Sequence, residues 1–329
     1  MIVDNNFYQN WLLKRWIGLM YNSNNKIKYG IEKFGRLKSA MLHCPEEAIK
    51  IITEENKEFF LFDAVPDVDA YLQEHRNYQN LLKDLGVQVH LVADNVTKNI
   101  DLLNRLPNIA YMHDIAVISS YGSIISKMST RGRCHEEVVV VEALSNLGIQ
   151  KLYEPLEGEA FEGCLLISPK TVFVADTERH SPKSIEKFIS FILDYFDEVI
   201  YAQIPQERRF MHPDMVLNRI TENLMVYYPA AFSKTYIITK AIRKEIELKA
   251  FMNSRKVEMV SLSDKEQQKW GSSFVPLEQG VIINYDISLD QSTLKTLENE
   301  GVKFVHFHPE AMLAGGGSLR CLTLRLLRE

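Results

Sequence analysis

A sulfur, an imidazole and several carboxylates stand at the heads of apolar runs in this chain, far apart in sequence. In AGGGSLRCLTLRL, Cys321 follows Gly315, Gly316 and Gly317, and glycines permit backbone shapes and close ligand approach that side chains would block. A thiol beside such a loop is a nucleophile if cations lower its pKa, a role open to Arg320 and to a histidine. Without them it is an inert core residue. MHPDMV supplies His212 and Asp214, which would share a face of a β-strand. The imidazole moves protons near neutrality and the carboxylate holds a cation, although a plain surface His/Asp pair also fits. In LPNIAYMHDIAV, Asn108 and Asp114 precede a strand. An aspartate in so apolar a run must be exposed, paired or awaiting a cationic ligand. Glu162 opens FEGCLLIS, Arg179 lies in the loop TERHS before a helix, and STRGRCHEE carries Arg131 and Arg133, where basic residues are otherwise simply solvated.

The elements that must position these groups repeat. From Gly30 onward the chain cycles through strand, turn, strand, amphipathic helix and a further strand, in units of about 45–60 residues. The first holds GRLKSAMLH, VDAYLQEHRNYQNLLKDLG and VQVHLV; the second YMHDIAVISS, GSIISKM, HEEVVVVEALSNLG and IQKLYEP. The third holds CLLIS, TVFVAD, SPKSIEKFISFILDYF and EVIYAQI; the fourth MHPDMVLNRI, LMVYYP and, after Lys240, a longer helical stretch ending at VEMVSL. The fifth holds SFVPL, GVIINYD, SLDQSTLKTLENEG and VKFVHF, with RCLTLRLL at its end. Serial units without long linkers imply one closed ring over residues 30–329, each unit burying its neighbour's apolar face. The same loop edge of every unit then meets at the axis. Residues 1–29 form an extension in which Trp11, Leu12, Trp16, Ile17 and Met20 suit an amphipathic docking helix.

Composition narrows the chemistry. With 329 residues, 25% charged and 46% hydrophobic, the chain falls in the range of packed globular proteins. A net charge of −5 without a basic face argues against nucleic acid and against an anionic membrane as partners. Cys44, Cys134, Cys164 and Cys321 show no CxxC pairing, which supports neither a metal ribbon nor a disulfide scaffold. No motif asks for a cofactor or a metal. Lys14 and Arg15 interrupt the N-terminal apolar stretch, and no small-residue cleavage site follows. A cytoplasmic protein with reduced thiols is therefore expected. Homo-oligomerisation stays open.

In this order the motifs GRLKSAMLHCPEE, FLFDAVPDVDAYLQEHRNYQNLLKDLGVQVH, LPNIAYMHD, QKWGSSFVPLEQGVIINYD and GGGSLRCLTL resemble the arginine deiminase family of the guanidine-modifying, pentein-fold superfamily. The resemblance implies an α/β-propeller of five ββαβ modules with pseudo-fivefold symmetry. It implies Cys321 as nucleophile, His212 as proton shuttle, Asp114 and Asp214 as guanidinium clamps, and Glu162 as the residue orienting His212. It further implies Asn108, Arg133, Arg179 and Arg320 around the amino-acid end of a small guanidino substrate. The implied activity is hydrolysis of arginine or a close analogue to citrulline and ammonia through a thiouronium on cysteine. Amidino transfer to an amine, or binding of a guanidino ligand without turnover, are the alternatives. The sequence departs from the family at EGCLL, where the usual EGGD aspartate is missing and Glu159 competes with Glu162. It departs also at His113, where arginine is usual, and at Pro213 between His212 and Asp214. The segment between FDAVP and LPN leaves no room for the helical insertion of bacterial arginine deiminases.

Overall fold

The computed structural model describes residues 27–329; the expected docking helix from Trp11 to Met20 lies outside them. Among the described residues there are five small sheets. β1 (Leu37–Leu42) runs parallel to β2 (Gln88–Leu91), joined through the helix Val68–Asp84. β3 (Ala116–Ser119) pairs antiparallel with β4 (Gly122–Ile125), which is parallel to β5 (Lys151–Tyr153) after the helix Glu136–Asn146. β6 (Leu165–Leu166), β7 (Thr171–Asp176) and β8 (Glu198–Gln203) repeat the pattern around the helix Pro182–Ile192. β9 (Leu217–Arg219) and β10 (Leu224–Tyr227) follow, then a hairpin of β11 (Lys234–Ile238) and β12 (Arg243–Ile246). The short helix Leu248–Ser254 leads to β13 (Glu258–Ser261), parallel to β10. β14 (Val275–Glu278), β15 (Val281–Tyr285) and β16 (Lys303–Phe307) repeat the pattern around the helix Gln291–Asn299.

The ring is closed by β17 (Leu324–Arg328), which pairs antiparallel with β1. RCLTLRLL is thus the missing first strand of the first module rather than the tail of the fifth. Backbone bonds between Arg36 and Glu329, 2.7 and 3.0 Å, extend this seam. The stretch after Lys240 differs too. Where a longer helical stretch was expected after Lys240, β12 comes first and only the short helix Leu248–Ser254 follows; β12 with β11 ahead of it adds to the third module's sheet beyond β8. Thr235 and Ile237 fit the pleat against β8, and the exposed Arg243, Lys244 and Glu245 make β12 a charged edge strand that discourages further pairing.

Apolar side chains alternate between two faces of each sheet, so each sheet feeds two cores. Val172 and Val174 of β7 pack with Val117, Ile124 and Phe188 of the second and third modules, whereas Phe173 and Ala175 pack with Leu217 and Met225 of the fourth. Five buried clusters result, each lying between neighbouring modules. This is the α/β-propeller. Among the described residues no helix is long and apolar enough to cross a membrane.

Candidate active site

The innermost strand of each module is preceded by a tight turn at the same end of the ring, and the chemistry sits in these turns. Asp114 closes the turn Met112–Asp114 two residues before β3, and Glu162 stands three residues before β6. Asp214 lies in the turn Pro213–Met215 three residues before β9, and Cys321 three residues before β17. In the fifth module the matching position belongs to Ser272 and Ser273, just ahead of β14. The expectation that His212 and Asp214 share a strand face is corrected: His212 is extended (φ −126°, ψ 151°) but Asp214 is in the turn. Pro213 starts that turn because its fixed φ suits a first helical position. Likewise Cys321 lies ahead of the strand, not on it.

The turns place the groups against one another. His212 Nε2 meets Glu162 Oε2 at 2.8 Å, and its Nδ1 lies 3.4 Å from Asp114 Oδ1. Glu162 Oε1 accepts from the Ser129 backbone N–H at 2.7 Å and from its hydroxyl at 2.8 Å, which fixes the carboxylate that fixes the imidazole. Burial pushes Glu162 up, but the hydrogen bond and charge of His212, with Arg179 and Arg133, hold it at about 2. Burial pulls His212 down, and Asp114, Glu162 and Asp214 outweigh it, so its pKa is raised. Glu159 pairs with Lys187 instead, so Glu162 holds the position facing His212.

Cys321 is buried, 4% exposed, and lines a narrow cleft with Asp114, Asn108 and Arg133. Its sulfur lies 3.3 Å from the Ser318 hydroxyl. Burial raises the thiol pKa, and Asp114 and Asp214 raise it further, so burial and both acidic neighbours disfavour the thiolate. Asp114 binds Arg133 through Oδ2 at 2.6 Å; Asp214 Oδ2 accepts from the Ser273 hydroxyl and stands 3.6 Å from Arg320 Nε. The other oxygen of each aspartate, with His212 Nδ1, is buried without a hydrogen-bond partner. Orphaned buried acceptors are costly, and two on acidic groups beside one sulfur mark a place for a planar, multi-donor cation. The adjoining glycines are needed for contact: a Cβ on Gly315 or Gly317 would collide with the Tyr111 ring, and Gly316 has φ +69°.

The residues expected at an amino-acid end divide. Asn108 and Arg133 line the cleft, but the Asn108 amide donates to Phe60 O at 2.7 Å. Arg133, rather than solvated, is 4% exposed and bridges Asp114 to Glu136, with Glu136 Oε2 at 2.8 Å. Burial lifts Glu136 to about 7 against the pull of Arg133. Arg179 lies behind Glu162, 3.9 Å away, and bonds Glu178. Arg320 turns from the cleft to Asp214 and Asn218. Arg208, Met211 and Trp270, which carried no sequence signal, line the cleft, and Arg208 bonds Leu61 O at 2.7 Å and Asp63 at 3.1 Å.

A sequence profile of the arginine deiminase family matches residues 92–328. Arginine deiminase of Mycoplasma capricolum subsp. capricolum is 23% identical, aligned over 90% of this chain and 96% of its own. That of Rhodococcus erythropolis is 21% identical over 94% and 99%. The Mycoplasma alignment runs to 389 positions against the 329 residues here, so that relative carries residues this chain lacks. Among solved structures, AgrE in complex with L-arginine superposes with TM-score 0.67 at 15% identity, covering 88% of this chain and 40% of AgrE; the chain thus spans about two fifths of that protein. The product-bound N-terminal domain of ArgZ, a cyanobacterial arginine dihydrolase, gives TM-score 0.67 at 15% identity, covering 88% and 97%. A dimethylarginine dimethylaminohydrolase adduct gives 0.62 at 12% identity, covering 88% and 99%. These likenesses establish the pentein α/β-propeller. With the profile covering most of its length, the chain belongs to the arginine deiminase family.

Proposed function

We propose that the protein hydrolyses the guanidinium group of arginine, or of a close analogue, to a ureido product and ammonia. The observation that carries this reading is the pair of unpartnered oxygens on Asp114 and Asp214, both buried and both close enough to Cys321 to raise its pKa. A guanidinium offers coplanar N–H donors to both carboxylates, which fixes its central carbon at the sulfur. Its charge also offsets the two carboxylates and favours the thiolate.

The Cys321 sulfur forms a bond to the guanidinium carbon, and the thiol proton is passed through His212 to the departing nitrogen. The C–N bond breaks, ammonia leaves and a thiouronium remains on Cys321. Water, relieved of a proton by His212, attacks the same carbon. The C–S bond breaks, returning the thiol and releasing the ureido product. His212 holds its proton readily because its pKa is raised, which suits the first, acid-catalysed departure. Asn108 and Arg208, which line the cleft, are proposed to meet the amino-acid end. The proposed setting is the cytoplasm, where thiols stay reduced.

Incubation with arginine should release ammonia and citrulline, and Cys321→Ala should abolish both. Product formed only with an added amine would instead identify amidino transfer. Binding of guanidino compounds with neither product nor a Cys321 adduct in the intact mass would overturn catalysis.

A further inference from the structure

The propeller axis has a second mouth. A pocket is lined by the inner strands of several modules, and its charged lining comprises Glu32, Lys33, Arg219, Arg320, Arg325 and Arg328. Three of these guanidinium groups are deeply buried: Arg320 is 2% exposed, Arg325 7% and Arg328 6%. Some of them donate to carbonyl oxygens, Arg328 to Gly35 O at 2.8 Å and to Pro276 O, Arg219 to Thr221 O at 2.7 Å. Carbonyls orient a guanidinium but leave its charge uncancelled. Arg325 is less satisfied still, since its Nε is buried without a hydrogen-bond partner.

Few acids among the described residues oppose this cluster. Glu32 accepts from the Ser120 N–H at 3.2 Å, Asp214 stands 3.6 Å from Arg320 and acts more weakly on Arg325, and Glu222 acts on Arg219. Burial depresses Arg325, and Arg320 and Arg328 depress it further. Arginine nonetheless stays protonated in proteins, and an uncompensated buried cation is strongly unfavourable. The remaining charge calls for an anion from solution.

We propose that this rear pocket binds a small tetrahedral oxyanion of phosphate type, gripped by Arg325 and Arg320. Planar forks with several donors match such an oxyanion. Arg320 couples the two mouths, because it lines the rear pocket and pairs with Asp214 while its chain neighbour Cys321 lines the cleft. An oxyanion on Arg320 weakens that cation's hold on Asp214 and strengthens the carboxylate's pull on a cation in front. This coupling rests on the proposed guanidinium site; the binding itself does not.

Titration calorimetry of inorganic phosphate into the full chain at low ionic strength, with the front cleft of the Cys321→Ala protein saturated by arginine, measures binding at the rear. One site is expected, weakened on the order of tenfold or more in Arg325→Gln, as loss of a charge-assisted contact requires. Glycerol phosphate in place of phosphate reports whether a monoester is admitted; equal binding extends the site to phosphorylated metabolites, and exclusion restricts it to the free ion. No heat of binding to the wild-type chain, no rise in Tm with phosphate over chloride of equal ionic strength, or equal affinity in Arg325→Gln would overturn the site. If phosphate binds, it should lower KM for arginine severalfold with kcat unchanged. A KM indifferent to phosphate would sink the coupling alone, and absence of any turnover would implicate the front-site reading while the binding result stands.

Discussion

Asp114 anchors Arg133 at 2.6 Å, whereas Asp214 stands 3.6 Å from Arg320, so Asp214 is the aspartate of the two with the looser ion pair. Asp214→Asn should cost on the order of 2–5 kcal/mol of transition-state binding, a fall in kcat/KM for arginine of roughly 30- to 5,000-fold. A variant within a factor of two of wild type would show that Asp214 does not hold the guanidinium. The Glu162–His212 pair leaves a mark on stability against pH. Glu162 sits at about 2 in the fold, below its ordinary value, so its pairing stabilises above about pH 4.5 and is lost as pH falls toward 2. His212 is shifted the other way; its contribution is full below its ordinary value near 6.5 and is lost as pH rises through the higher folded value. Denaturant titrations across pH should therefore show Glu162→Gln with a flatter acid limb than wild type, and parallel limbs would contradict the pairing. Cys321, His212 and Glu162 were legible because each heads an apolar run and the runs keep a family order. Arg208, Ser129 and Ser318 were not, since a lone arginine or serine in a loop means nothing until folding sets it beside a partner.

At the scale of elements, the turn carrying His212 and Asp214 is held by the short helix Asp264–Gln268. Gln267 is fully buried there and donates to Arg209 O at 2.8 Å and Met215 O at 3.3 Å, while its oxygen accepts from Arg209 Nε at 2.8 Å. Gln267→Leu leaves these carbonyls unsatisfied, at about 1–3 kcal/mol. The predicted result is a lower Tm together with reduced kcat; a drop in Tm with kcat intact would mean that the turn keeps its shape unaided. The strand–strand–helix–strand alternation was readable from periodicity. The β11–β12 hairpin was not, because AIRKEIELK has helix-forming residues and only pairing against β11, itself docked on β8, makes it strand. The HxD pair misled for a related reason: two-residue spacing suggests a strand, but the proline between them starts a turn.

Across the whole molecule, every core belongs to two modules, so no module owns enough buried surface to persist alone. A single cooperative unfolding transition, coincident by fluorescence and circular dichroism, is expected for residues 30–329; two separated transitions would reveal independent parts. Leu326→Ala, at a fully buried site in the cluster shared with Met41 and Ile118, should cost about 2–5 kcal/mol and shift that one transition without splitting it. The closed ring was foreseen from the repeats, but its seam was not: nothing local in RCLTLRLL says that its partner is GRLKSAMLH.

That seam orders events during synthesis. The first blade lacks its innermost ribbon until β17 has emerged, and Cys321 lies only three residues ahead of β17. A nascent chain still held by the ribosome at β16 would carry His212, Glu162, Asp114 and Asp214 yet neither a closed ring nor Cys321, leaving the free edge of β1 open to whatever chaperone attends it.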